Sequence, residues 1–119
     1  MNPAALTKTC LKIINQMRTD FNLPEIAELV PLNAYARNLL SDDPAKSKWE
    51  DEESYVSISN MHFTEVYDGK KSPNELVSEW MMNPNRRPVL LSPGKYGGVA
   101  FYDSHGIFYV SVVIMSFFH

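Results

Sequence analysis

The last strand constrains this chain most. Ile107 to Phe118 reads IFYVSVVIMSFF, with Ile107, Tyr109, Ser111, Val113, Met115 and Phe117 on one face and Phe108, Val110, Val112, Ile114, Ser116 and Phe118 on the other. Both faces are mainly apolar, so both need a covering layer. Upstream, Val99–Tyr102 is a second apolar strand, and Asp103-Ser-His-Gly106 supplies the hairpin loop between the two. Gly97-Gly98, just before it, signals a bulge or the close approach of another backbone. Tyr55–Phe63 alternates as a third strand: Tyr55, Ser57, Ser59, Met61 and Phe63 face one way and Val56, Ile58, Asn60 and His62 the other.

The covering layers must come from helices. Asn2-Pro3 caps a first helix of about four turns, with Leu6, Cys10, Ile13, Ile14, Met17 and Phe21 on one stripe. Residues 21–30 read as a loop broken by Pro24. A second helix starts at Pro31, turns Leu32, Tyr35, Ala36, Leu39 and Leu40 inward, and ends at Ser41-Asp-Asp-Pro44. The third has the clearest local chemistry. Ser72 is an N-cap, Pro73 takes the first helical position, and Glu75 stands three residues after the cap. Leu76, Val77, Trp80 and Met81 share its inner face, and Asn83-Pro84 stops it. The pattern therefore predicts an α+β fold: a three-layer α-β-α sandwich, a small antiparallel sheet with helices on both faces, as a single domain over 1–119.

At 119 residues the chain can bury a core without disulfides or metal. Its one cysteine, Cys10, precludes an internal disulfide; this fits a reducing compartment and leaves export open. Cys10 lies on an apolar stripe and reads as a buried, inert thiol. A net charge of −3 argues against general nucleic-acid binding. No segment has the apolar length of a membrane span, and the N-terminus lacks a basic region followed by an apolar core. The acidic run Glu50–Glu53 reads as a solvated loop.

Recognisable catalytic constellations are missing. His62, His105 and His119 fall on a strand, in a hairpin loop and at the terminus, without the local spacing of a metal site. There is no G-x-S-x-G elbow, phosphate-binding loop or dinucleotide fingerprint. Arg86-Arg87, just past a helix C-terminus, is the most unusual pair. It reads either as dipole complementation and solvation, or as a clamp for a carboxylate or another anion.

Several motifs, in order, resemble the CAP superfamily (cysteine-rich secretory proteins, antigen 5, pathogenesis-related 1; the SCP domain). Asn15-x-x-Arg18 resembles the family's N-x-x-R, and Leu32-x-x-x-Ala36 its L-x-x-x-A. Ser59-Asn60-Met61 is similar to its strand motif G-E-N-[LI]. Trp80-x-x-Asn83-Pro84-Asn85-Arg86-Arg87-Pro88-Val89-Leu90-Leu91 resembles W-x-x-S-P-x-H-R-x-N-[IL]-L. Gly97-Gly98-Val99-Ala100 and Phe108-Tyr109-Val110 resemble the closing strands. The family's cleft usually holds two histidines and two acids, and in several members the histidines bind a divalent metal. Against that pattern, Arg86 replaces one histidine and Ser59 one glutamate; Asn83 stands at the usual Ser position, or at the second glutamate of other branches, so that acid is absent too; Val89 replaces a stabilising asparagine, and residues 42–54 contain no histidine.

The resemblance implies a CAP-like binding or interaction module without catalytic groups, with a lipid or sterol, a glycan or a protein at a degenerate cleft. Cleft candidates are Ser59, Asn60, His62, Asn83, Arg86 and Arg87, with no metal ligand or cofactor expected. It also implies secretion. The alternatives are a metal-dependent hydrolase or peptidase re-formed around His62, Ser59, Asn60 and Arg86, and an intracellular scaffold that kept only the fold.

Overall fold

The computed structural model describes residues 2–37 and 56–118. The elements run α1 (Pro3–Asp20), β1 (Ala27–Glu28), α2 (Val30–Arg37), β2 (Val56–Val66), α3 (Pro73–Met82), α4 (Arg87–Leu90), β3 (Tyr96–Ser104) and β4 (Ile107–Phe118). The expected end of the second helix at Ser41–Pro44, the charged stretch 45–54 with Trp49, and His119 lie outside the described residues.

Local chemistry sets the helix ends. The Asn2 side chain accepts hydrogen bonds from the Ala4 and Ala5 amides. At α3 the capping box is complete: Glu75 N–H donates to Ser72 Oγ at 3.2 Å and Ser72 N–H donates to Glu75 Oε1 at 3.3 Å. Arg87-Pro-Val-Leu90 forms a short helix that the sequence pattern did not anticipate; four residues are too few to show a period.

The sheet order is β1-β3-β4-β2. β2 pairs antiparallel with β4 and reaches Val66, three residues beyond the expected Phe63, with a register shift between Ser57 and Ser59. β3 and β4 pair antiparallel over a two-residue turn, His105 (φ 54°) and Gly106 (φ 83°), whose positive φ values suit the hairpin twist. The expectation of a purely antiparallel sheet is corrected here. β1 pairs parallel with β3, Ala27 opposite Tyr96 and Glu28 opposite Gly97, so the sheet is mixed. Two residues leave no alternation to read. Their pairing is set from elsewhere, by Asn15, whose side chain bonds both Ile26 N–H (2.8 Å) and Ile26 C=O (3.0 Å).

Alternation along β3 and β4 divides the core in two. Val99, Phe101, Val110, Val112 and Ile114 pack with Cys10, Leu11 and Ile14 of α1 and with Leu76, Val77 and Trp80 of α3. Ala100, Tyr102, Val113 and Met115 pack on the other face with Leu32 and Ala36 of α2. The sheet is thus covered by α1 and α3 on one side and α2 on the other, the three-layer sandwich that the two-faced last strand demands. Gly97-Gly98 makes no bulge; its pairing with Ile114 and Val113 is regular. The close approach is the reading that holds. A Cβ on Gly98 would lie 2.5 Å from Leu32 C and 2.6 Å from Leu32 O.

One buried cation fastens the loops. Arg18 is fully buried. Its guanidinium donates to the carbonyls of Pro24 (3.0 Å), Leu90 (2.8 Å), Ser92 (2.8 Å) and Gly94 (3.1 Å). No carboxylate among the described residues pairs with it. Its planar fork of donors lets one side chain hold the α1–β1 loop and the α4–β3 loop together. Burial lowers its pKa from the usual arginine value. The Asn15-x-x-Arg18 pattern is therefore a fastening device in this chain.

Candidate functional site

The α4 segment that Arg18 fastens begins beside a polar cluster on the α3 side of the sheet. Glu65, near the end of β2, is its centre. Trp80 Nε1–H donates to Glu65 Oε1 at 2.5 Å, and Arg86 Nε–H donates to Glu65 Oε2 at 2.9 Å. The Arg86 guanidinium lies over the Phe63 ring, 5.2 Å from its centroid, and Phe63 meets Trp80 edge-on at 5.1 Å. Both partners of the ion pair are about a quarter exposed, at 23% each. Arg86 commits its Nε to Glu65. Its two terminal amino groups make no hydrogen bond to a described residue, and the side chain keeps 23% of its surface exposed.

The helix end and the turn after it aim Arg86. Asn83 caps α3 in extended conformation, and its Oδ1 accepts from the Asn85 amide (2.8 Å) and the Arg86 amide (3.3 Å). Arg87 points elsewhere. Its guanidinium lies 5.2 Å from the Phe21 ring centroid at the end of α1, with a long bond to Met81 C=O at 3.5 Å. Adjacent in sequence, the two arginines therefore do not share one clamp.

Of the candidates read from the sequence, Asn83 and Arg86 meet in this cluster. The β2 residues do not join them. Ser59 lies six residues before Glu65, about 20 Å along the strand at roughly 3.3 Å per residue, opposite Ser116. Asn60, five residues before Glu65, pairs with Met115, and His62 falls on the opposite face from Glu65 by alternation. His62 is exposed on the α2 side, two residues from Thr64 on the same face. There Thr64 Oγ1 lies 2.7 Å from Ser111 Oγ, and Ser111 Oγ lies 3.0 Å from Tyr102 Oη. Three hydroxyls share two bonds, so one of the three protons is left over. Thr64 is the half-buried end of this chain and Tyr102 the buried one. Burial raises the Tyr102 pKa, against the opposing pull of Ser111.

Glu65 is the residue that sequence reasoning missed. Alternation carried the strand only to Phe63, and the strand motif was matched at Ser59-Asn60-Met61, six residues too early to reach Trp80. A usable signal was present: Phe63 and Glu65 continue the same face, and an acid on a face opposite Trp80 and Arg86 is a natural partner for both. Glu65 also borders a small cleft of about 130 Å³ lined by Val66, Tyr67, Asp68, Lys71, Leu76 and Glu79. Lys71 Nζ bonds Glu79 at 2.7 Å, and Tyr67 Oη donates to Lys71 C=O at 2.6 Å. Among the described residues, no three of His, Cys, Asp and Glu come together as a metal site, and no helix is long and apolar enough to cross a membrane.

No protein-family model matches the sequence, and no curated protein matches it. Solved structures do. A cysteine-rich secretory protein from Staphylococcus aureus superposes with a TM-score of 0.72 at 15% identity, over 97% of this chain and 39% of its own. An extracellular SCP-domain protein from Bacillus anthracis gives 0.73 at 15% identity, over 96% of this chain and 41% of its own. An outer surface protein from Borrelia burgdorferi gives 0.71 at 14% identity, over 92% of this chain and 90% of its own. This chain thus spans about two-fifths of the length of the first two. Taken with the two-faced sheet and the motif order, these superpositions show that the chain has the fold of the CAP superfamily, the SCP domain.

Proposed function

We propose that the chain is a CAP-like interaction module that binds without catalysis, at the rim formed by β2, the end of α3 and α4. One observation carries this reading: both oxygens of Glu65, the carboxylate in the cluster, already accept bonds from Trp80 and Arg86. General acid–base work needs a group free to exchange a proton with substrate, and both Glu65 oxygens are already engaged by protein donors. The terminal amino groups of Arg86 remain available at the rim to meet a carboxylate, phosphate or hydroxyl of a ligand.

Size argues about ligand class. Sites for drug-sized molecules usually enclose roughly 300–1,000 Å³ and are mainly apolar. The cleft beside Glu65 has about 130 Å³ and is lined largely by charged groups. That favours a protein surface or a glycan, met at the rim, over an enclosed sterol or fatty acid. Extracellular placement is part of the proposal, supported by the secretory and extracellular descriptions of two structural neighbours. So is a single domain over residues 1–119.

The experiment pairs a negative and a positive arm. The protein is assayed against peptide, ester and glycoside substrates with added zinc, magnesium or calcium, and screened on a glycan array as wild type and Arg86→Ala. No turnover, with glycan binding weakened by Arg86→Ala, is the expected result. Turnover that disappears in Glu65→Gln would overturn the reading. A stoichiometric lipid recovered by extraction and mass spectrometry would overturn the choice of ligand class.

A further inference from the structure

The sheet order leaves β2 at an edge, and no described strand lies outside it. β2 runs for 11 residues, whereas β1 at the other edge has two. A long edge offers a row of unpaired N–H and C=O groups, and soluble proteins usually blunt such edges with Lys, Pro, bulges or shortness. β2 carries no Pro, Gly, Lys or Arg. Its one bulge-like irregularity falls between Ser57 and Ser59, so the stretch from Asn60 to Val66 is regular. Met61 is 36% exposed and Val66 63% exposed on that stretch.

We infer that β2 is a self-association edge, pairing antiparallel with β2 of a second copy of this chain to give one continuous eight-stranded sheet. The twofold axis stands perpendicular to the sheet, so each helical layer continues on its own side. That geometry brings together only residues on the same face, those whose numbers share parity. Charge is compatible with it. The strand has a single Asp, Glu, Lys or Arg residue, Glu65, and its side chain turns inward to Arg86 and Trp80. In the registers centred on His62 or Phe63, Glu65 lies opposite Ser59 or Met61 of the other copy. It opposes itself only in the register centred on Glu65. A strand of mixed charge would meet like charges in several registers, and this one does not. The small edge-to-edge area implies a weak, concentration-dependent dimer.

Sedimentation equilibrium from about 1 µM to about 1 mM tests this by mass action. The expected result for wild type is a mass rising from 13.6 kDa toward twice that. Hydrogen exchange at β2 amides should slow with concentration. Met61→Lys, a charge on the exposed edge, should shift the association at least tenfold to higher concentration. Met82→Lys, at a residue 85% exposed on α3, should leave it unchanged. A mass of 13.6 kDa throughout would overturn the pairing. So would a dimer that Met61→Lys leaves intact, or protection that gathers away from β2.

Discussion

Replacing Arg18 with methionine removes the buried cation while nearly keeping its volume. Four backbone carbonyls, of Pro24, Leu90, Ser92 and Gly94, lose their donor in the interior. Each stranded polar group costs roughly 1–3 kcal/mol. Part of that is offset, because the guanidinium no longer has to be desolvated and water can reach some of the freed carbonyls. The net loss should be about 4 kcal/mol, against a total stability of roughly 5–15 kcal/mol for a domain of this kind. Urea unfolding followed by tryptophan fluorescence and far-UV circular dichroism measures it. The midpoint should fall steeply with an unchanged m-value. Arg18→Lys tests geometry separately from charge. An ammonium is a point donor and cannot span carbonyls on two loops, so it should recover less than half of the loss. A loss below about 1 kcal/mol in Arg18→Met would refute the reasoning, because it would mean that desolvation cancels the four bonds.

Three further outcomes follow from the geometry. Glu65→Ala strands the buried Trp80 indole N–H and frees Arg86, and should cost about 2 kcal/mol; a Glu65/Arg86 double-mutant cycle should return a coupling of only about 1 kcal/mol, since the pair is partly exposed. Gly98→Ala drives a Cβ into the α2 backbone and should cost about 3 kcal/mol or prevent folding, whereas Gly106→Ala meets no atom within 4 Å and should cost about 1 kcal/mol through its φ of +83° alone, both read from thermal unfolding. Burial pushes the Cys10 thiol from 9.0 up to about 12. The folded state thus holds the thiol proton more tightly than the unfolded chain does, so this contribution is complete below pH 9.0 and is lost as the pH rises toward 12. At pH 8 a thiol reagent should label Cys10 only at the rate of unfolding, and rapid labelling of the native protein would contradict its burial.

The two-faced apolar strand Ile107–Phe118 by itself required helices on both sides of a sheet, because apolar area on two faces has to leave water on two faces. The capping box at Ser72 and the Asn83-Pro84 stop were equally readable, since they depend on neighbours in sequence. What lay beyond the sequence was set by groups that meet from far apart. The parallel β1 exists because Asn15 grips Ile26 and the loop then falls beside β3. Arg86 and Arg87 part company because one finds Glu65 on β2 and the other Phe21 at the end of α1. Glu65 joins Trp80 only once β2 runs past Phe63 and α3 folds back over it. Local pattern records period and capping. Which carboxylate a given arginine reaches is decided by the packing of layers, and that decision turned a cleft expected at Ser59 into an occupied ion pair at Glu65.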